Sequence, residues 1–262
     1  MKMLPLIQVD AFADRPFTGN PAAVMPLQEW LPDEILQAIA TENNLSETAF
    51  TIPDETGEAD FELRWFTPGL EIKLCGHATL ASGHVLLCGD DHIRFRTRKA
   101  GILEVTRDGD GYALSLPAYP PVPQPLPNLV AGLGCAAVET LWHEGRYALI
   151  VLENEAQVRA LRPDFRVLID DGDTMTIATA PGDSTDVVSR VFVPGAGVDE
   201  DPVTGSAHSV LVPYWAKRLG RSDAMSFFQA SARGGELTGR LDGDRVILTG
   251  KCVTVLEGLM TI

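Results

Sequence analysis

Four side chains in this sequence can be combined into one acid–base set: Glu47, His77, Asp201 and Ser206. Glu47 lies in Leu45–Ile52, where a two-residue period puts Leu45, Glu47, Ala49 and Thr51 on one strand face, so a carboxylate stands among small neighbours. His77 falls in Cys75-Gly-His-Ala-Thr79, directly before the apolar run Leu80–Leu87. That is a helix N-terminus, whose positive dipole end disfavours the imidazolium and favours a neutral ring able to donate a hydrogen bond or relay a proton. Asp201 precedes Pro202, which fixes its own φ and extends the residue before it, so the acids at 199–201 stand just outside a helix read over Val203–Leu219. Gly205, Ser206 and Ala207 leave backbone N–H groups little obstructed, and donors at a helix start have no intrahelical partner. An anion fits there. Together these groups supply acid and base without a metal or a covalent nucleophile. Each also has a plainer reading: a solvated strand face for Glu47, a core or capping role for His77, and a surface helix cap for the acids.

The elements that must position them repeat. Cys75-Gly-His-Ala-Thr-Leu-Ala in the first half is answered by Thr204-Gly-Ser-Ala-His-Ser-Val in the second, and both follow strand, turn and acid. The implied fold class is α+β, with two pseudo-symmetric domains, each a curled, mostly antiparallel, barrel-like sheet around a central helix. Two helix N-termini facing across a cleft would hold a carboxylate while side chains act on a neighbouring carbon. Prolines at 117, 120, 121, 123, 125 and 127 mark the boundary, because such a run neither joins a central strand nor continues a helix. The domains are therefore expected over 1–118 and 119–251. Within them, strands are read at Ile7–Phe12, Phe61–Phe66, Ile93–Thr97, Ile102–Thr106 and Tyr112–Leu116, and a helix at Pro32–Asn43. The segment from Ala13 to Pro21 reads as a loop crowded with turn residues, leaving Asn20 as either a polar substrate contact or a turn. The second half reads as a hairpin around Glu144-Gly145, a short helix at Glu155–Leu161, and strands before and after the 197–208 stretch.

Composition narrows the function. The 262 residues are 45% hydrophobic and 22% charged, ordinary for a globular chain that buries a core. A formal net charge of −15 offers no basic footprint, so nucleic acid and membrane surfaces are excluded as expected partners. An anionic substrate must then be held by local donors against the global field. Cys75, Cys88, Cys135 and Cys252 form no Cys-x-x-Cys pair, which argues against a zinc ribbon or disulfide scaffold and fits a reducing cytoplasm. No run nears the length of a membrane span, and the N-terminus does not read as a signal peptide. No His-Glu-x-x-His motif occurs among the five histidines, so no metal is expected and any metal site would be assembled from scattered residues.

Four stretches carry a family resemblance: Val9-Asp-Ala-Phe with Thr18-Gly-Asn-Pro-Ala-Ala-Val24, Asn44-Leu-Ser-Glu-Thr-Ala-Phe50, Cys75-Gly-His-Ala-Thr79, and Asp199-Glu-Asp-Pro-Val-Thr-Gly-Ser-Ala-His208. In these the sequence resembles the phenazine-biosynthesis PhzF-like proteins, within the diaminopimelate epimerase-like fold, over nearly the whole chain. The resemblance implies Glu47 as the proton-transferring acid/base, with Gly76, His77, Asp201 and Ser206 around a small, cyclic carboxylate substrate, to which the N–H of Gly205 is added from the reading of the helix start. It implies no cofactor, a homodimer, and a terminal strand at about 252–262 that crosses back to the first domain. The activity it implies is isomerisation by proton transfer between carbons. The alternatives are a small-carboxylate-binding protein without turnover and an amino-acid epimerase or racemase. The last departs from the sequence, because two-thiol racemases place a cysteine on each side of the substrate carbon, whereas Cys75 is answered by Thr204.

Overall fold

The computed structural model describes residues 1–221 and 223–262 and divides into two units, Met1–Ser115 with Thr249–Ile262, and Leu116–Leu248. The elements at the start of the first unit are β1 (Met3–Ala11), β2 (Asn20–Pro26), α1 (Asp33–Asn43), β3 (Glu47–Pro53), β4 (Phe61–Phe66) and β5 (Glu71–Ile72). They are followed by α2 (Gly76–Leu86), β6 (His92–Thr97), β7 (Ile102–Asp108) and β8 (Gly111–Pro117). Strand pairing runs β18–β1–β2–β3–β4–β6–β7–β8, where β18 is the terminal strand Cys252–Thr261. The pairs β2–β3 and β4–β6 are parallel and the others antiparallel, so the sheet is mixed. Helix α2 packs against β1, β2, β3, β7 and β18. Touching strands from both ends of the order requires the sheet to curl around the helix.

Burial explains why these residues form these elements. Every residue of α2 from Gly76 to Gly83 is buried, as expected of a helix that is apolar on all sides. The opposite sheet face is covered by α1, whose Leu36, Ile39 and Ala40 meet Leu4, Met25, Phe50 and Phe66. Both faces of β2 and β3 are thus covered, and Ala22 to Met25 are all buried. A strand buried on both faces loses its alternation. That is why Asn20–Pro26, read as loop up to Pro21 and not expected as a strand, is β2.

The second unit comprises β9 (Val122–Pro123), α3 (Pro127–Leu133), β10 (Glu139–His143), β11 (Tyr147–Val151), α4 (Glu155–Ala160), α5 (Phe165–Ile169), β12 (Met175–Pro181) and β13 (Val187–Val193). After these come β14 (Val198–Asp201), α6 (His208–Leu219), β15 (Met225–Gln229), β16 (Gly235–Asp242) and β17 (Arg245–Gly250). Its pairings repeat those of the first. An antiparallel pair (β10–β11) leads to a parallel one (β11–β12), then to an antiparallel strand, β13. One end of β13 pairs β14 antiparallel and the other pairs β15 in parallel, as β4 does with β5 and β6. The two units are one topology written twice. The proline run is not wholly irregular, since Val122–Pro123 bridges β10 and Pro127 opens α3 in the first-turn position that proline tolerates. No helix among the described residues is long and apolar enough to cross a membrane.

Helix α6 begins later than Val203. Its first regular residue is His208, and Thr204–Ala207 form a turn in which the N–H groups of His208, Ser209 and Val210 bond back three residues to Gly205, Ser206 and Ala207. The tight turn uses donors that a full helix start would leave open. Among the described residues, the N–H groups of Gly205, Ser206 and Ala207 donate to no backbone carbonyl.

Candidate active site

In the first unit the structure brings Asn20, Glu47, Cys75, Gly76 and His77 together. Glu47 is the first residue of β3 and Asn20 the first of β2; Cys75 caps α2 and His77 is in its first turn. Asn20 is placed by a constrained connection. Gly19, at φ +66°, would drive a Cβ to 2.2 Å from the Ala11 carbonyl oxygen, and Asp10 Oδ2 accepts from Phe17 N at 2.7 Å. Asn20 is not a turn residue: it opens β2 and is wholly buried, with Nδ2 3.1 Å from His77 Nδ1.

His77 is gripped on both ring nitrogens. Nε2 lies 2.9 Å from Glu47 Oε2, in ion-pair range although not aligned as a hydrogen bond, and Cys75 Sγ is 3.5 Å from Nδ1. Burial by itself pulls the His77 pKa down, but the adjoining Cys75 and Glu47 acids push it well above its ordinary value. Cys75 is moved up to about 11, by burial first and then by Glu47, so at neutral pH it is a thiol, and Glu47 is the acid whose charge acts on the ring. The helix dipole and the Asn20 amide turned to Nδ1 favour the neutral imidazole expected from the sequence, and Glu47 beside Nε2 favours the cation. A carboxylate at 2.9 Å outweighs the partial charge of a helix end. Metal-type donors, expected to be scattered, are also brought together here: one donor atom each from Glu47, Cys75 and His77 lie within 4.8 Å of one another.

The second unit gathers Asp201, Gly205 and Ser206. Asp201 ends β14, and its Oδ2 accepts from the Thr204 hydroxyl. Glu200, beside it, is clamped by Arg190 through Nε–Oε1 at 2.7 Å and Nη2–Oε2 at 2.8 Å. Gln229, wholly buried on β15, fixes the turn: Thr204 N donates to its Oε1 at 2.8 Å, while its Nε2 donates to the Asp201 carbonyl at 2.7 Å and to Thr204 Oγ1 at 3.1 Å. Ser206 is half-buried and hydrogen-bonded to the Tyr147 phenol, whose pKa burial pushes up to about 12 despite that bond. Tyr147 is one of three clustered rings, with Tyr119 stacked on His143 at 4.6 Å between centroids.

The two first turns are chemical analogues. In each, a side chain bonds back to the carbonyl four residues before it, Thr79 through its hydroxyl to Cys75 O and His208 through Nδ1 to Thr204 O at 2.8 Å. His208 has no polar partner for Nε2, and burial lowers it to about 4. Gln229 and Tyr147 were not expected as site residues. The signal for Gln229 was a lone amide on the buried face of Met-Ser-Phe-Phe-Gln, and for Tyr147 there was none.

Comparison with known proteins identifies the family and the fold. The family model described as phenazine biosynthesis-like protein matches residues 9–130 and 134–258. An uncharacterized isomerase of Pseudomonas aeruginosa is 48% identical over 262 residues, 98% of each chain. A human phenazine biosynthesis-like domain-containing protein is 40% identical over 98% of this chain and 99% of its own. The crystal structure of a PhzF-family phenazine biosynthesis protein from Enterococcus faecalis superposes with a TM-score of 0.92 at 43% identity, covering 100% of both chains. A predicted epimerase of Pseudomonas aeruginosa, 18% identical with a TM-score of 0.75 over 99% of each chain, shares the fold. The chain belongs to the PhzF-like phenazine biosynthesis family.

Proposed function

We propose that the protein is an isomerase that moves a proton between carbons of a small, cyclic carboxylate, with Glu47 as the proton carrier. The observation that carries this reading is the Glu47–His77 contact, 2.9 Å long and held in a buried first turn by Asn20 behind the ring. A carboxylate set against a ring that exchanges its own proton can take a hydrogen from an acidified carbon and return it elsewhere. His77 holds that carboxylate in place and shares its charge. Ser206, with the open N–H groups at 205–207, binds the substrate's carboxylate, in keeping with a −15 chain that needs local donors for an anion, and Asp201 serves as the second acid of the set. Family membership supports the reaction class, and the isomerase relatives point the same way. A thiol-based epimerisation is disfavoured by Cys75, which stays protonated at neutral pH, and by the weakly acidic Thr204 at the matching position. A homodimer belongs to the same proposal.

Incubation of cyclic, unsaturated carboxylic acids with the protein in deuterated water tests it. Wild type should place deuterium on a substrate carbon, and Glu47→Gln should lower that rate by about 10²-fold or more. Equal label uptake by both would remove Glu47 from the role, and tight binding of an acid that is never labelled would leave a binding protein instead. Cys75→Ser should keep most of the wild-type rate.

A further inference from the structure

Zinc-type donor chemistry is concentrated at one point of the first unit. A carboxylate, a thiol and an imidazole, from Glu47, Cys75 and His77, offer donor atoms within 4.8 Å of one another. In a tetrahedral zinc site, bonds of roughly 2.0–2.3 Å put ligand atoms roughly 3–4 Å apart; Cys75 Sγ lies beside Nδ1 of the ring and Glu47 beside Nε2, so closing all three around one ion takes a rotation of the His77 ring or of one partner side chain. Two of the donors come from one rigid piece of backbone, the cap and first turn of α2, and the third from the adjoining end of β3. His77 and Cys75 are buried, while the Glu47 side chain remains 14% exposed, so the cluster meets solvent on the Glu47 side. The chain's charge of −15 draws cations towards it.

We propose that Glu47, Cys75 and His77 form an inhibitory site for a soft divalent cation of the zinc type. The cation is held by one carboxylate oxygen, one thiolate and one imidazole nitrogen, and the thiol proton leaves to solvent. Hard ions such as magnesium, which take oxygen ligands in octahedral geometry, are rejected by the sulfur and nitrogen donors. The binding claim stands on the cluster alone. The inhibitory claim rests on the assignment of Glu47 as proton carrier, because a carboxylate bound to a metal is no longer a base.

The test titrates metal-free protein with cobalt(II), a coloured probe for zinc sites. Wild type should bind one ion per chain with a thiolate-to-cobalt charge-transfer band and the visible spectrum of a tetrahedral site, and stoichiometric zinc, but not excess magnesium, should abolish both. Cys75→Ser should lose the charge-transfer band and at least about tenfold in affinity, Glu47→Gln should lose about tenfold, and Cys88→Ser, an exposed thiol outside the cluster, should behave as wild type. A charge-transfer band that survives Cys75→Ser, displacement by magnesium, or no stoichiometric binding by wild type overturns the site. If Cys75→Ser fails to fold by circular dichroism, Glu47→Gln decides: unchanged cobalt affinity counts against the site and a tenfold loss supports it. Label uptake retained by Glu47→Gln would remove the proton-transfer role while leaving the cobalt result standing. Loss of label uptake without any cobalt binding would do the reverse.

Discussion

His77 is held by opposing demands, and Asn20 is placed to arbitrate between them. With Nδ2 turned to Nδ1, the ring accepts on that side and its proton belongs on Nε2, facing Glu47; the imidazolium instead needs the Asn20 oxygen there. Asn20→Asp removes the choice, since a carboxylate beside Nδ1 favours the cation. The His77 midpoint, followed by NMR of the ring, should move about one unit or more above wild type, and an unchanged or lower midpoint would refute the arrangement. His208 behaves in the opposite sense. Its folded pKa of about 4 lies below the unfolded 6.5, so the stability it contributes is complete above pH 6.5 and is lost as pH falls from there through about 4. The loss amounts to about 3 kcal/mol. His208→Asn, which keeps a donor near the Nδ1 position, should flatten that part of the pH–stability curve by a similar amount in denaturant titrations; parallel curves for the two proteins would contradict it. At this scale the sequence singled out Glu47 and His77 by type and position, and the fold sets them 2.9 Å apart. Their partners were hidden, because Asn20 reaches His77 across 57 residues and Gln229 reaches Thr204 across 25, and no local pattern encodes a contact of that range.

The elements were legible wherever polar and apolar positions keep the expected period. Strand β4 and helix α1 read correctly to within a residue because their polar and apolar positions follow the expected period. Strand β2 did not, since prolines at both of its ends and burial on both of its faces leave an apolar run without alternation. Helix α6 was extended too far towards Val203 because small residues have little say in whether a turn is tight or α-helical; Gln229, distant in sequence, fixes it. Helix α2 shows how closely packing constrains an element. Gly83 lies inside it, where alanine would ordinarily gain about 1 kcal/mol in helix propensity. A Cβ there would stand 2.5 Å from Val105 Cγ1 and 2.8 Å from Val105 Cβ, and Val105 is a wholly buried β-branched residue with little rotamer freedom to yield. Overpacking costs about 1–3 kcal/mol and should win. Gly83→Ala is therefore expected to destabilise the protein by about 1–2 kcal/mol in chemical denaturation, and Gly83→Ala with Val105→Ala should recover part of the steric loss. A stabilised single variant would show that α2 is less tightly enclosed than its contacts require.

At the scale of the whole chain, the organising fact is that the first unit is not continuous in sequence. Its sheet is completed by β18, which runs antiparallel to β1 from Met3↔Thr261 to Ala11↔Cys252 with one irregularity at Gln8/Val9. The repeat in the sequence revealed the doubling of the topology, since motif, turn and helix recur together. The return of the tail was implied only by resemblance, because an alternating strand does not name its partner. The pairing has a consequence that separates the units. β1 borders β2 on one side and β18 on the other, so a chain ending at Lys251 leaves one whole edge of β1 without its ladder. Helix α2 also loses a strand that packs on it, close to where His84 Nε2 meets Thr254 Oγ1 at 2.9 Å. Unpaired backbone on an apolar strand is costly and prone to pair with other chains. Hydrogen exchange on the shortened chain should show the amides of Met3–Ala11 and of α2 losing protection by orders of magnitude, with β11, β12 and β13 changed far less. A synthetic peptide covering 252–262 should restore protection to β1 by adding back the missing strand. If β1 keeps its wild-type protection without the tail, the terminal strand is an ornament on a sheet already complete. If protection collapses equally through Leu116–Leu248, the two units fold as one and the tail stabilises both.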